Sequence, residues 1–209
     1  MFKGLRFKSL KLFKTSTQQS YKLAFRITSF GTSFSYFWSE IILYMEIIIR
    51  PYAKSDIQAI LDIINYNILY STALYDYKIR SYEQQQNILE EKISKKFPVI
   101  VAELEGNVVG FGMYSEFRFR EAYKFTVEHS VYVNESFHGK GIGKMLLQEL
   151  IGLARKQKLH TMIAVIDSEN QSSVEFHEKF GFKTVGLIKE SGYKFDRWLH
   201  SVFMQLIVE

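Results

Sequence analysis

Val131-Tyr-Val-Asn-Glu-Ser-Phe-His-Gly-Lys-Gly-Ile-Gly-Lys-Met-Leu-Leu147 is the stretch on which the reading of this chain turns. An apolar strand runs into a loop holding Gly139, Gly141 and Gly143. An amphipathic helix over 143–156 begins there, with Leu146, Leu147, Leu150, Ile151 and Ala154 on one face. Closely spaced glycines let the backbone approach a ligand, and the first turn of a helix carries N–H groups without intrahelical acceptors. Together they form an anion cradle suited to a diphosphate, with Lys140 and Lys144 adding positive charge at its rim. A Walker loop would need glycine at 138 and Ser or Thr at 145, where the chain has His138 and Met145. The dinucleotide fingerprint would need a third glycine where Leu146 stands. A glycine-rich turn that binds nothing is the plain alternative.

Working outward, 126–133 and 161–166 read as strands on either side of that helix, and 172–180 as a short helix. Toward the N-terminus, 47–50 is a strand ended by Pro51. Ser55 is placed to cap a helix running to 69, with Ile57, Ile60, Leu61 and Ile64 at helical spacing. A polar helix follows over 82–95. Apolar runs over 98–103 and 108–115 are joined by Glu105-Gly106-Asn107, a hairpin signal. Two strands near 182–189 and 202–208 complete the chain. This order predicts an α+β fold, an α/β three-layer arrangement in which helices flank a mixed, mostly antiparallel sheet.

Of 209 residues, 47% are hydrophobic and 23% charged, a balance that builds a packed core. There is no cysteine, which excludes disulfides, thiolate zinc sites and a cysteine nucleophile. The net charge of +5 is not spread evenly: residues 1–44 hold seven basic residues and one acid, Glu40, leaving 20 basic and 21 acidic residues beyond them. The main domain therefore has no bulk attraction to phosphate backbones, and neither nucleic acid nor membrane is expected as its partner. Residues 1–44 are a basic, aromatic-rich extension, read as non-native or disordered, with Met45 as the native start and 45–209 as the domain. A transit-type or membrane-surface role is the alternative for this segment. A cytoplasmic location is expected.

The loop His138-Gly-Lys-Gly141-Ile-Gly143 resembles the acetyl-coenzyme A pyrophosphate loop of the GNAT acetyltransferase superfamily, with His138 where that family has Gln or Arg. Asn170-Gln-Ser-Ser-Val-Glu-Phe-His-Glu-Lys-Phe-Gly-Phe182 is similar to its second cofactor motif. Thr126-Val-Glu-His-Ser-Val-Tyr-Val133, Ala164-Val-Ile166 and Gly192-Tyr-Lys-Phe-Asp-Arg-Trp-Leu199 resemble the phosphinothricin and methionine-sulfoximine N-acetyltransferase branch. The resemblance spans roughly residues 47–206 and implies the GNAT acyl-CoA N-acyltransferase fold, acetyl-CoA as cosubstrate and a small amine as acceptor. The acceptor would be phosphinothricin, methionine sulfoximine or sulfone, or an L-amino acid. It also implies a homodimer.

Carried over residue by residue, the resemblance makes Glu128 the general base and gives His177 the place of the acid that protonates the coenzyme A thiolate. Val131, Tyr132 and Val133 would offer backbone groups to the pantetheine. Gly139, Lys140, Gly141, Ile142, Gly143 and Lys144 would hold the diphosphate, and Asn170 and Ser173 would contact the pantetheine arm. Substrate contacts would fall at Arg118, Phe119 and Arg120, and at Glu128, His129 and Ser130. Guanidinium groups suit a substrate carboxylate or phosphinate. The five histidines form no i, i+4 pair, and no metal is expected. Two other readings stand beside small-molecule acetylation: a protein N-terminal acetyltransferase, and a non-catalytic acetyl-CoA-binding module.

Overall fold

Ile57, Ile60, Leu61, Ile64 and Ile68 recur at helical spacing and are all buried on one face of helix α1 (Ile57–Tyr70). The computed structural model describes the backbone of residues 5–14, 20–29 and 41–208, and the side chains of residues 46–208. The aromatic stretch 34–38 and the side chains behind any surface-binding role of residues 1–44 lie outside the described residues. Ser55 does not cap α1. It sits in a 3-10 turn, Lys54–Asp56, that leads into the helix. The turn is held by the buried Asp56 carboxylate, which accepts from Arg50 Nη1 at 2.7 Å, Arg50 Nη2 at 3.0 Å and Ala53 N at 2.8 Å. Asp56, one residue beyond Ser55, is thereby the N-cap of α1.

Helix α2 (Tyr82–Ser94) opens with a capping box, Ser81 and Gln84 exchanging side-chain-to-backbone bonds at 3.2 and 2.9 Å. Strands β4 (Val99–Leu104) and β5 (Asn107–Glu116) are joined by Glu105 and Gly106, both with positive φ, as a two-residue hairpin of this handedness requires. They are followed by β6 (Thr126–Val133), α3 (Ile142–Lys156), β7 (Thr161–Asp167) and α4 (Gln171–Glu178). The last hairpin is longer than its sequence pattern predicts. It comprises β8 (Lys183–Lys194) and β9 (Arg197–Ile207), turning at Phe195 and Asp196, again with positive φ. Gly186 and Gly192 interrupt the apolar alternation of β8, and two register shifts against β9 fall there, so the strand continues without a periodic signal.

Strand β3 (Ile41–Pro51) spans the expected domain start at Met45. Strands β1 (Leu5–Lys14) and β2 (Ser20–Ser29) pair antiparallel on its outer side. The described strands form one sheet in the order β1-β2-β3-β4-β5-β6-β7-β9-β8. Every pairing is antiparallel except β6 with β7, which α3 connects as a crossover. One face packs on α1 and α2 through Val99, Val101, Phe111 and Met113. The other packs on α3 and α4 through residues including Met145, Leu146, Leu150 and Phe182. The result is three layers with the sheet in the middle.

Candidate active site

The two central parallel strands part company halfway along. β6 and β7 pair only at Thr126–Thr161, Val127–Met162 and Glu128–Ile163. Beyond that point 129–133 remains paired to β5 and 164–167 to β9, so the facing edges of the two strands have no strand partner. A cavity of about 920 Å³ occupies this fork. Its walls include residues 128–133 from β6, 164–167 from β7, and Asn170, Ser173, Phe176 and His177 at α4.

The glycine loop closes one end. Asn134 Oδ1 accepts from Ser136 N at 3.1 Å and starts a tight turn, after which Gly139 (φ 74°) and Gly141 (φ 79°) are both left-handed. Gly141 is the N-cap of α3, and the first intrahelical bond runs from Met145 N to Gly141 O at 3.2 Å. The amides of Ile142, Gly143 and Lys144 consequently have no acceptor within the helix. His138, where the family has Gln or Arg, donates from Nε2 to Val133 O at 2.9 Å, tying the loop to the end of β6. Free amides, the positive end of a 15-residue helix and the exposed Lys144 ammonium fit a diphosphate. The unpaired strand edges fit an amide-containing arm.

Alternation along β6 distributes its side chains between the two sheet faces. Tyr132 packs toward α1, with its ring 5.3 Å from Phe111, and Glu128 and Ser130 share that parity. His129 and the side chains of Val131 and Val133 point to the α3/α4 side. Because the fork opens through the sheet, the cavity joins a face bearing a carboxylate to a face bearing the anion cradle. Burial pushes the Glu128 carboxyl above its ordinary range, and the Lys92 charge only partly opposes it. On the other face His177 Nδ1 lies 2.6 Å from Ser173 O, and its Nε2 lies 3.1 Å from His129 Nε2. Burial pushes His129 down to about 3 and lowers His177 as well, against the pull of the Ser173 carbonyl.

The cavity thus brings together Glu128, His129, Ser130, Val131, Tyr132, Val133, Gly139, Gly141, Ile142, Gly143, Lys144, Asn170, Ser173 and His177. Lys140 is turned aside, its ammonium 4.5 Å from the Phe137 ring centroid and donating to Ser136 O at 3.3 Å. Arg118, Phe119 and Arg120 lie on the exposed loop between β5 and β6 and do not line the cavity. Phe119 is 87% exposed, and each guanidinium covers the ring of the phenylalanine before it.

Sequence reasoning missed the wall formed by Thr72, Ala73, Leu74 and Tyr75, from the loop between α1 and α2. That loop is fastened to the final hairpin. Lys194, 3% exposed, donates to Ser71 O at 2.7 Å and Leu74 O at 2.5 Å, and Tyr77 donates to Tyr193 O. Tyr75 lies over Gly192, where a Cβ would sit 2.6 Å from its ring. These contacts join residues more than a hundred positions apart, so no local pattern announces them. Among the described residues no group of three or more metal-ligating side chains occurs, and no helix is long and apolar enough to cross a membrane.

Residues 64–182, which carry the fork and the glycine-capped helix, match the Acetyltransferase (GNAT) family model. The chain belongs to this family. It is 37% identical over 158 residues to the L-amino acid N-acyltransferase MnaT of Escherichia coli, covering 76% of this chain and 92% of that protein. It is 38% identical over 159 residues to the L-methionine sulfoximine/L-methionine sulfone acetyltransferase of Pseudomonas aeruginosa, with coverage of 76% and 92%. The GNAT superfamily phosphinothricin acetyltransferase of Sinorhizobium meliloti, solved in complex with AcCoA, superposes with a TM-score of 0.76 at 36% identity, covering 78% of this chain and 88% of that one.

Proposed function

We propose that this enzyme transfers the acetyl group of acetyl-coenzyme A to the amine of a small amino-acid-like substrate, by direct transfer. The observation that carries the reading is the fork itself, with Glu128 on one face and the glycine cradle on the other, joined by one cavity. Relatives that acetylate L-amino acids, methionine sulfoximine and methionine sulfone, together with a phosphinothricin acetyltransferase of the same fold, support this substrate class.

Bound acetyl-coenzyme A supplies an activated acyl carbonyl. The amides of residues 142–144, with Lys144, hold the diphosphate, and the free edge of 131–133 holds the pantetheine arm opposite Asn170 and Ser173. Glu128 takes a proton from the substrate ammonium, directly or through water, so that the amine has a lone pair to attack with. Its raised affinity for protons brings it nearer to the task than an exposed carboxylate. An N–H on the open edge of β6 would be the donor for the oxyanion. Arg118, Phe119, Arg120 and Lys140 have no contact with reacting groups in this proposal. Residues 45–209 form the catalytic unit, acting as a homodimer, which the exposed Val185, Leu187 and Ile188 on the outer strand β8 support.

Thiol release from acetyl-CoA across a panel of amines tests the assignment. Saturable release with methionine sulfoximine, methionine sulfone, phosphinothricin or an L-amino acid is expected. Release with none of them would end it. Glu128→Gln is expected to lower kcat about 100-fold or more, in the range of a lost general base, while calorimetry finds acetyl-CoA affinity unchanged.

A further inference from the structure

The two imidazoles at the base of the fork determine one another's protons. A carbonyl oxygen only accepts, so the 2.6 Å contact with Ser173 O requires a hydrogen on His177 Nδ1. Neutral His177 then presents a bare Nε2. The nitrogen 3.1 Å away, His129 Nε2, must carry the hydrogen between them. His129 Nδ1 is left as a lone pair, and that atom is buried with no hydrogen-bond partner. This one neutral state pairs every ring nitrogen except His129 Nδ1, which it leaves as a bare lone pair. Protonating His177 would set two N–H groups against each other at 3.1 Å, unless His129 moved its own hydrogen to Nδ1, where no acceptor waits.

The surroundings reinforce this. The rings are 6% and 7% exposed and are packed against Phe176 and Phe182, with centroid distances of 5.1 to 5.5 Å. No acidic side chain bonds to either ring among the described residues. Glu128, the adjacent carboxylate in sequence, belongs to the opposite parity of β6. Burial disfavours the charged form of both rings.

We infer that His129 and His177 are a neutral, tautomer-locked pair of positioning residues that fixes α4 across the fork, and that His177 is not the acid for the departing thiolate. His129 is the first residue of β6 beyond its last pairing with β7, at Glu128. His177 stands in the last turn of α4, whose other end presents Asn170 and Ser173 to the cavity. The pair therefore holds α4 against the point where the sheet opens. Neither proton is available: one is bound to the Ser173 carbonyl and the other to His177 itself. As the N–C bond forms the C–S bond breaks; a thiol of ordinary pKa, roughly 8.5, leaves as thiolate and takes the second proton shed by the acylated nitrogen, so no dedicated acid is needed.

The exclusion of an acid role rests on the acetyltransferase reading; the tautomer assignment does not, and the first measurement reads it without any coenzyme. In the full chain with 15N-labelled histidine, long-range 1H–15N correlation spectra are expected to show His177 protonated at Nδ1 and His129 at Nε2. Neither should become imidazolium across the range in which a free imidazole titrates, about pH 6–7. An imidazolium signal from either ring near neutral pH would overturn the proposal. The second measurement separates positioning from acid catalysis. The amide of His177→Gln both donates and accepts but cannot titrate. KM for acetyl-CoA is expected to rise about fivefold, with the shape of the kcat–pH profile unchanged. His177→Leu, which can do neither, should raise KM further, again without changing the shape of the profile. An alkaline limb in the parent that His177→Gln removes, with kcat down about 100-fold and KM unchanged, would make His177 the acid.

Discussion

Gly141 turns left-handed just where the backbone must swing its amides toward the mouth of the cavity. No neighbour would touch a Cβ there, so φ alone demands glycine. Gly141→Ala should cost about 1 kcal/mol, divided between a lower Tm and weaker acetyl-CoA binding by calorimetry. Glu128 carries a different prediction. Its carboxyl must be ionised to take a proton, so kcat/KM should rise with pH along a limb lying above the ordinary carboxylate range, and Glu128→Gln should abolish that limb. The same shift acts on stability with the opposite sign. The folded chain keeps this proton to higher pH than the unfolded chain, so folding loses free energy as pH rises through that window. Glu128→Gln should therefore melt higher than the parent near neutral pH, measured by calorimetry. The glycines were legible because they break a local pattern, whereas Glu128 was singled out only by the family resemblance. The facing of His129 was legible only in part: period two separates it from Glu128, but nothing in the sequence told which imidazole it would meet.

The final hairpin does more than complete the sheet. Through Lys194 it clasps the loop between α1 and α2, which forms one cavity wall. Lys194→Met removes both donors and leaves the Ser71 and Leu74 carbonyls without them. The expected cost is about 1–3 kcal/mol in stability, with KM for the amine raised about tenfold and the acetyl-CoA Kd unchanged. Denaturant melts and initial rates check both halves. Helices α1 and α3 were readable from period, since each buries one apolar stripe, whereas α2 was read only as a polar run and the expected Ser55 cap was not made. Strand β8 was half readable, because an edge strand with Val185, Leu187 and Ile188 exposed and glycines at 186 and 192 shows no alternation. The clasp itself is a matter of long-range packing, which spacing along a chain does not encode.

Across the whole molecule, sequence reasoning had no counterpart of strands β1 and β2, while from 47 onward the order of elements and the three layers followed from it, helped by a family resemblance through 47–206. The parting of β6 and β7 did not. Both read as ordinary apolar strands, and only the pairing of one against the other reveals that the rungs stop at Glu128. With three rungs between them, the sheet has a seam, and the halves on either side need not open together. Amide exchange should find the 129–133 edge fast in the ligand-free chain and slow once acetyl-CoA is bound, since the ligand supplies acceptors that no strand does. Mass action sets the scale: coenzyme at 100 times its Kd adds about 2.7 kcal/mol to the folded state. In a cell, then, the resistance of this protein to proteases would track the supply of its own acyl donor, so that starvation for the donor makes the enzyme not merely idle but short-lived.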